Sequence, residues 1–380
     1  MTIPLWARAN YSSSITNIVK WRYPLKKLLL ATAVAALSVS AANAAPTFYG
    51  KAFLAADYIN AEFDTSTGNM YDEDTVEINS HSSRLGLKGS EAMTANTDVI
   101  YQLEYGTSIS GDNATFTNRD TYLGVNNKQF GEFRAGKNQS TLARIDNVVV
   151  NEGYWDNLGQ TVNEKETIAA LNMADSNRLP SSIIWTAPKY NGLPLQLSAM
   201  YSSNDVDGDN SDDSGFGVAM LFDQGTGFTA GVAYDKDQNI DGDIIRGTAT
   251  VDLGKYMAAP VNLGALYQVA DYNYGSSKEK GLVVSAQMAL ANFARPASVY
   301  AQYNKTDNLN GLNNADSNQI VVGGKYFYKD NIIAHAYAGL NKADNVNYRY
   351  VDKVLDKDVD VNVRGDAEVL VVGTGLEYKF

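Results

Sequence analysis

The sequence predicts an all-β fold, a transmembrane antiparallel β-barrel of about sixteen strands. Three observations carry that expectation. Short segments alternate apolar and polar residues with period two. The connections between them alternate between short and long. After residue 44, no apolar run approaches the ~20 residues a spanning helix needs.

The alternation is clear at both ends of the chain. Phe48, Gly50, Ala52, Leu54, Ala56 and Tyr58 share one face, and Lys51 and Asp57 the other. Val99, Tyr101, Leu103 and Tyr105 oppose Gln102 and Glu104, and Val372, Leu376, Tyr378 and Phe380 oppose Glu377 and Lys379. In a membrane barrel the apolar face looks outward and the polar face lines the lumen. The strands are expected at 47–58, 82–91, 98–109, 117–127, 131–141, 178–189, 193–203, 215–223, 227–237, 244–255, 261–273, 281–293, 297–306, 317–329, 332–342 and 367–380.

Connections such as Lys128–Gly131, Asn191–Gly192, Gly225–Gly227 and Asp330–Asn331 are tight turns. The intervening ones are longer: 59–81, 110–116, 142–177, 204–214, 238–243, 274–280, 307–316 and 343–366. Sorting of loops by side suits a barrel with both termini on the short-turn side. A soluble sandwich has no reason for it.

Composition agrees. The 380 residues include 24 Tyr and 31 Gly, with 8 Pro and no Cys. Aromatic and glycine enrichment with scarce proline suits many strands joined by turns. Without cysteine there is no disulfide framework, thiol catalysis or cysteine zinc site.

Residues 1–44 read as a signal peptide. Lys26-Lys27 precede the apolar run Leu28 to Val39, and Ala42-Asn43-Ala44 is an A-x-A cleavage site. Cleavage after Ala44 leaves 45–380 as a single barrel domain. Residues 1–24 are polar and Ser-rich, which makes Leu25 an alternative translation start. Residues 1–44 hold five basic residues and no acid, so their removal leaves 26 basic and 43 acidic residues, a net charge of −17. That balance argues against nucleic acid as a partner. It suits a polar lumen and acidic surface loops.

Several motifs add a resemblance. They are the opening strand Phe48-Tyr49-Gly50-Lys51, the stretch Ser83-Arg84-Leu85-Gly86-Leu87-Lys88-Gly89-Ser90-Glu91, and Thr121-Tyr122-Leu123-Gly124-Val125 followed by Phe130-Gly131 and Arg134-Ala135-Gly136-Lys137. With the terminal Leu376, Tyr378 and Phe380, they resemble the general (non-specific) porins of Gram-negative outer membranes. The resemblance implies a homotrimer in the outer membrane, among lipid and lipopolysaccharide. Each barrel would be a water-filled channel for passive diffusion of small hydrophilic solutes and ions, narrowed by a loop folded inward after the fifth strand. It also implies periplasmic chaperones and a barrel-assembly machinery that reads the C-terminal Leu376, Tyr378 and Phe380. No cofactor, metal or catalytic residue is implied.

The working part of such a channel is its constriction, where opposed charges set size and ion preference. The inward loop is expected at 142–177, with the acids Asp146, Glu152, Asp156, Glu164, Glu166 and Asp175. The resemblance maps a facing basic wall to Lys51, Arg84, Arg119 and Arg178, and alternation turns Arg134 inward. At Ile184 the chain lacks a basic residue that such porins often carry, which thins that wall. The net charge and acidic loop suggest a modest cation preference.

Other readings compete. An oligosaccharide-selective channel could use Tyr154 and Trp155 as a sugar path, although the same rings could pack the loop onto the wall. A surface adhesin would show long apolar outer loops. A barrel enzyme would need a positioned nucleophile beside His81 or His335, the only histidines. Asp205–Asp213 looks like a calcium loop, but Asn210 and Phe216 stand where an EF-hand needs Gly and Glu, so it reads as a solvated outer loop.

N-terminal sequencing checks the export signal. The mature protein is expected to begin at Ala45, and a precursor peptide from before Leu25 would exclude the Leu25 start.

Overall fold

Hydrocarbon offers no partner to backbone N–H and C=O groups, so a spanning sheet must close on itself. A computed structural model describes residues 45–66, 68–111, 116–156, 171–188, 193–203, 214–354 and 357–380, and in it the sheet is closed. The segments are β1 (Thr47–Thr65), β2 (Gly68–Ser80), β3 (Arg84–Thr94), β4 (Thr97–Gly106), β5 (Thr117–Asn127), β6 (Gly131–Gln139), β7 (Arg178–Thr186), β8 (Leu195–Ser203) and β9 (Ser214–Asp223). They continue with β10 (Phe228–Lys236), β11 (Gly242–Asp252), β12 (Val261–Tyr272), β13 (Glu279–Leu290), β14 (Ala297–Asp307), β15 (Asp316–Lys329), β16 (Ile332–Val354) and β17 (Lys357–Lys379). From β3 onward each pairs antiparallel with the next, and β1 pairs with β17 to shut the ring.

β2 and β3 both lie along β1 and make one stave. It breaks at His81–Ser83, where Ser82 has φ 49°. The His81 N–H donates to the Phe53 carbonyl at 3.0 Å, and the Phe53 N–H donates to Ser83 Oγ at 2.9 Å. The seventeen described segments therefore form sixteen staves.

Two expected connections are corrected. Much of 59–81 and 343–366 is strand, continuing β1, β2, β16 and β17. β16 and β17 have 23 residues each, against the ~9–11 that span a bilayer. Period two persists in these stretches, at Ile59, Ala61 and Phe63 and again at Val359, Val361 and Val363, but the intervening Asp, Glu and Asn residues give them the composition of loops.

Within the membrane the faces sort as expected. In β14, Val299 and Tyr303 are exposed on the outer face, while Tyr300, Gln302, Asn304 and Thr306 between them are buried. Gln268, Gln319, Asn341 and Arg246 are likewise buried on the inner face. The C-terminus completes the ring: Phe380 and Gly50 exchange backbone hydrogen bonds of 2.8 and 3.1 Å. Leu376, Tyr378 and Phe380 all face outward, and the Phe380 ring lies 5.9 Å from that of Phe48.

The outer face is tested by a charge. Leu123 lies mid-strand in β5 and is 62 % exposed, so Leu123→Lys is expected to destabilise the barrel in a bilayer by about 2–4 kcal/mol. Denaturant unfolding from lipid vesicles measures it; an unchanged midpoint would place that side chain away from lipid.

Candidate pore constriction

The longest connection joins β6 to β7, and its described parts lie against the inner wall. Its first turn, Thr141–Ile145, buries Leu142 and Ile145 against the inner faces of β9 to β11. A Cβ on Gly231 would come within 2.8 Å of Ile145, and one on Gly264 within 3.0 Å of Val148. These glycines make room for the loop. Asn147 Nδ2 donates to Thr229 Oγ1 at 2.8 Å, and the Val150 N–H donates to Gln302 Oε1 at 2.9 Å. Glu152 forms an ion pair with Lys325 on β15. A second short turn, Gly153–Trp155, seats Gly153 on the Tyr337 ring and Trp155 over Gly339. Trp155 is fully buried and Tyr154 packs beside it. These aromatics hold the loop to the wall, and among the described residues they do not form an open sugar path.

The loop returns as a strap, Leu171–Asn177, held by one side chain from each of six successive strands. Asn341 of β16 bonds both ways with Leu171, at 3.1 and 2.9 Å. Asn172 donates to Gln319 of β15 at 2.9 Å and accepts from Asn304 of β14 at 3.2 Å. Glu279 of β13 accepts from the Ala174 N–H at 2.9 Å. Gln268 of β12 and Arg246 of β11 donate to the Ala174 carbonyl at 2.8 and 3.2 Å. Arg246 also lies 3.5 Å from Asp175. Buried polar groups need partners, and here the wall side chains supply those of the strap's backbone.

Arg84, Arg119, Arg134 and Arg178, expected in the basic wall, lie on β3, β5, β6 and β7, and Lys51 lies on β1. Arg119 Nε lies 2.6 Å from Glu104, and Arg84 Nε 3.8 Å from the same carboxylate. Arg134 pairs with Glu132 at 2.6 Å and stacks 4.5 Å from the Tyr122 ring. Arg178 lies 3.3 Å from Asp120. Arg119 and Asp120 both reach the lumen because a bulge sets these two residues opposite Glu104 alone. Lys51 lies on β1 over the Phe53 ring, with Glu377, Arg84, Asp156 and Glu152 acting on it. Ile184 faces inward, buried against Leu179 and Met200.

Of the loop acids, Asp156 comes round to β1, where Ser82 Oγ donates to it at 3.4 Å. Glu152 is matched by Lys325. Asp146 stays at the loop's foot near Arg246 and Asp175, where burial pushes its carboxyl up to about 6. Glu164 and Glu166 lie outside the described residues, as do Ala42, Ala44 and the Asp205–Asp213 stretch. Sequence reasoning missed Glu104, Glu132, Asp120, Arg144 and Lys325. Alternation alone turns Glu104 and Glu132 inward, but the bulge hides Asp120. Nothing local marks Arg144, whose neighbouring charges are Arg134, Glu132 and Asp120.

His81 lies 2.7 Å from Asp57, which also accepts from Tyr337 at 2.6 Å and from Asn79 at 3.0 Å. The serines beside it turn elsewhere: Ser80 to Ser83, Ser82 to Asp156 and Ser83 to the Phe53 carbonyl. The cluster holds the broken stave: the hydroxyl that reaches the imidazole is that of Tyr337, 3.4 Å from His81 Nε2, and it donates to Asp57.

Comparison with known proteins agrees with this architecture. The major outer membrane protein P.IB of Neisseria gonorrhoeae is 30% identical over 207 residues, 54% of this chain and 56% of that protein. The chain thus spans about half the length of the first curated relatives it matches. P.IB of Neisseria meningitidis serogroup B is 24% identical over 337 residues, 83% of this chain and 93% of that protein. Among solved structures, an anion-selective porin from Comamonas acidovorans superposes with a TM-score of 0.65 at 16% identity, covering 89% of this chain and 100% of that one. The Gram-negative porin profile matches residues 31–347. A closed sixteen-stave barrel, a polar lumen and that match together place the chain in the Gram-negative porin family, in the outer membrane.

Proposed function

We propose that the chain is a passive diffusion channel for small hydrophilic solutes and ions. One observation carries this reading: a loop pinned along one side of a polar lumen faces an arginine row on the other. The constriction residues are Lys51, Arg84, Arg119, Arg134 and Arg178 on the wall and Glu152 and Asp156 on the loop, with Glu164 and Glu166 assigned to the loop from sequence. The barrel is read as non-catalytic, since the His81 cluster spends its hydrogen bonds on structure. A homotrimer follows the family resemblance. An apolar outer groove of ≈ 730 Å³, with Ala56, Gly324, Ala336 and Ala338 in its lining, suits close contact there. Leu376, Tyr378 and Phe380 serve as the assembly signal.

A mild cation preference follows from pairing. Arg84, Arg119, Arg134 and Arg178 each have a carboxylate beside them. Three carboxylates serve these four arginines, Glu104 being shared, so most of the wall's positive charge is offset. The net −17 of the chain without residues 1–44 then dominates entry to the pore. An anion-selective neighbour does not oppose this, because charge placement, not the barrel, sets selectivity.

Liposome swelling tests the channel. Rates should fall smoothly as neutral sugars grow larger; preference for one sugar would favour the selective reading, and no permeability would remove both. Reversal potentials in a salt gradient should show cation preference, and a clear anion preference would overturn it. Glu104→Gln frees two arginines and should move the reversal potential towards anions. The change should be largest in dilute salt, because the screening length is ~30 Å at 0.01 M and ~3 Å at 1 M.

A further inference from the structure

Below the outbound limb of the loop, on the short-turn side, the lumen wall holds a polar concavity of ≈ 380 Å³. That is near the lower end of small-molecule sites, ~300–1,000 Å³. Its inner row follows the ladder register: Thr229 lies opposite Thr250, Thr250 opposite Gly264, and Gly264 opposite Ser285. A second row, nearer the turns, sets Asp252 opposite Asn262 and Asn262 opposite Gln287. The loop forms the roof. Asn147 donates to Thr229, which lies 2.6 Å from the Thr250 hydroxyl, and Ser285 donates to the Val148 carbonyl.

The two threonine hydroxyls are thus already oriented, and pre-organised donors and acceptors lose less on binding. The centre of the shelf is uncharged. At its rim Lys255 stands with Asp223 and Asp252. Each carboxylate has one oxygen accepting from a turn N–H, Gly225 to Asp223 at 2.8 Å and Gly254 to Asp252 at 3.0 Å. Gly227 and Gly264 keep the floor low. Among the described residues no aromatic ring lines the concavity, so a ligand held here is held by hydrogen bonds and not by stacking.

We propose that this shelf is a weak subsite for neutral polyhydroxylated solutes of one or two sugar rings, just beyond the constriction. The proposal rests on the channel reading and adds a solute class to it. Amides and hydroxyls donate and accept alternately, as a ring of hydroxyls does. An ion would find no surplus charge at the centre.

The test uses the full-length protein in planar bilayers, with sucrose added on the short-turn side. Current noise that saturates with sucrose concentration is expected. The double variant Thr250→Val, Gln287→Leu should weaken the apparent affinity by about tenfold, the loss of two neutral hydrogen bonds. An open-channel current in the variant shows that it has inserted. A current with no sucrose-dependent noise, or noise unmoved in the variant, would overturn the shelf and leave the channel standing. No current from the wild-type protein at all would remove the channel reading instead.

Discussion

Every other feature depends on the closure of one hydrogen-bonded ring in a solvent that accepts no hydrogen bonds. Because the sheet has no free edge, β1 must find β17, and the exchange between Gly50 and Phe380 sits at that seam. Closure in hydrocarbon also inverts the usual protein. Leucine, valine and tyrosine face outward, and the buried interior holds Arg246, Gln268, Gln302 and Asn341.

That inverted interior is what allows a loop to be fixed inside a channel. An apolar wall could hold a backbone segment only by burying its N–H and C=O groups unsatisfied. Here six strands each offer a side chain to the strap, and the strap's backbone and Asn172 groups bond to them. Where the loop comes closest, the wall gives up side chains altogether, at Gly231, Gly264 and Gly339. Among the described residues apolar contact gathers in three places: the Leu142–Ile145 foot, Val148 and Met173 against Leu266 and Val283, and the Trp155 seat. The loop is thus held by amides along its length and by hydrophobic contact at these anchor points.

The same economy governs charge. An unpaired arginine facing a narrow lumen would raise a strong local potential. The wall instead sets Glu104 between Arg84 and Arg119, Glu132 beside Arg134 and Asp120 beside Arg178. The result is a row of dipoles across the pore rather than a plate of one sign. Fixed dipoles order the water and polar solutes that pass, and leave the balance of ions to the wider charge of the chain.

The sequence alone determined the barrel, because a membrane strand writes its environment into every second residue. Phe48 to Tyr58, Val99 to Tyr105 and Val372 to Phe380 could be assigned to faces from that period, and so could Arg134 and Glu104. Composition masked the extensions of β16 and β17, where Val359, Val361 and Val363 keep the period among acidic and amide residues that read as loop. Alternation itself failed at Asp120, which sits at a bulge that breaks the period. Only the tertiary structure decided which charges meet. Arg84 and Glu104 lie on neighbouring strands, but Glu152 and Lys325, or Arg246 and Ala174, are joined by a loop whose path no local pattern encodes. Its course is set by hydrogen-bonding groups spread over half the barrel, and they are assembled only when the ring closes.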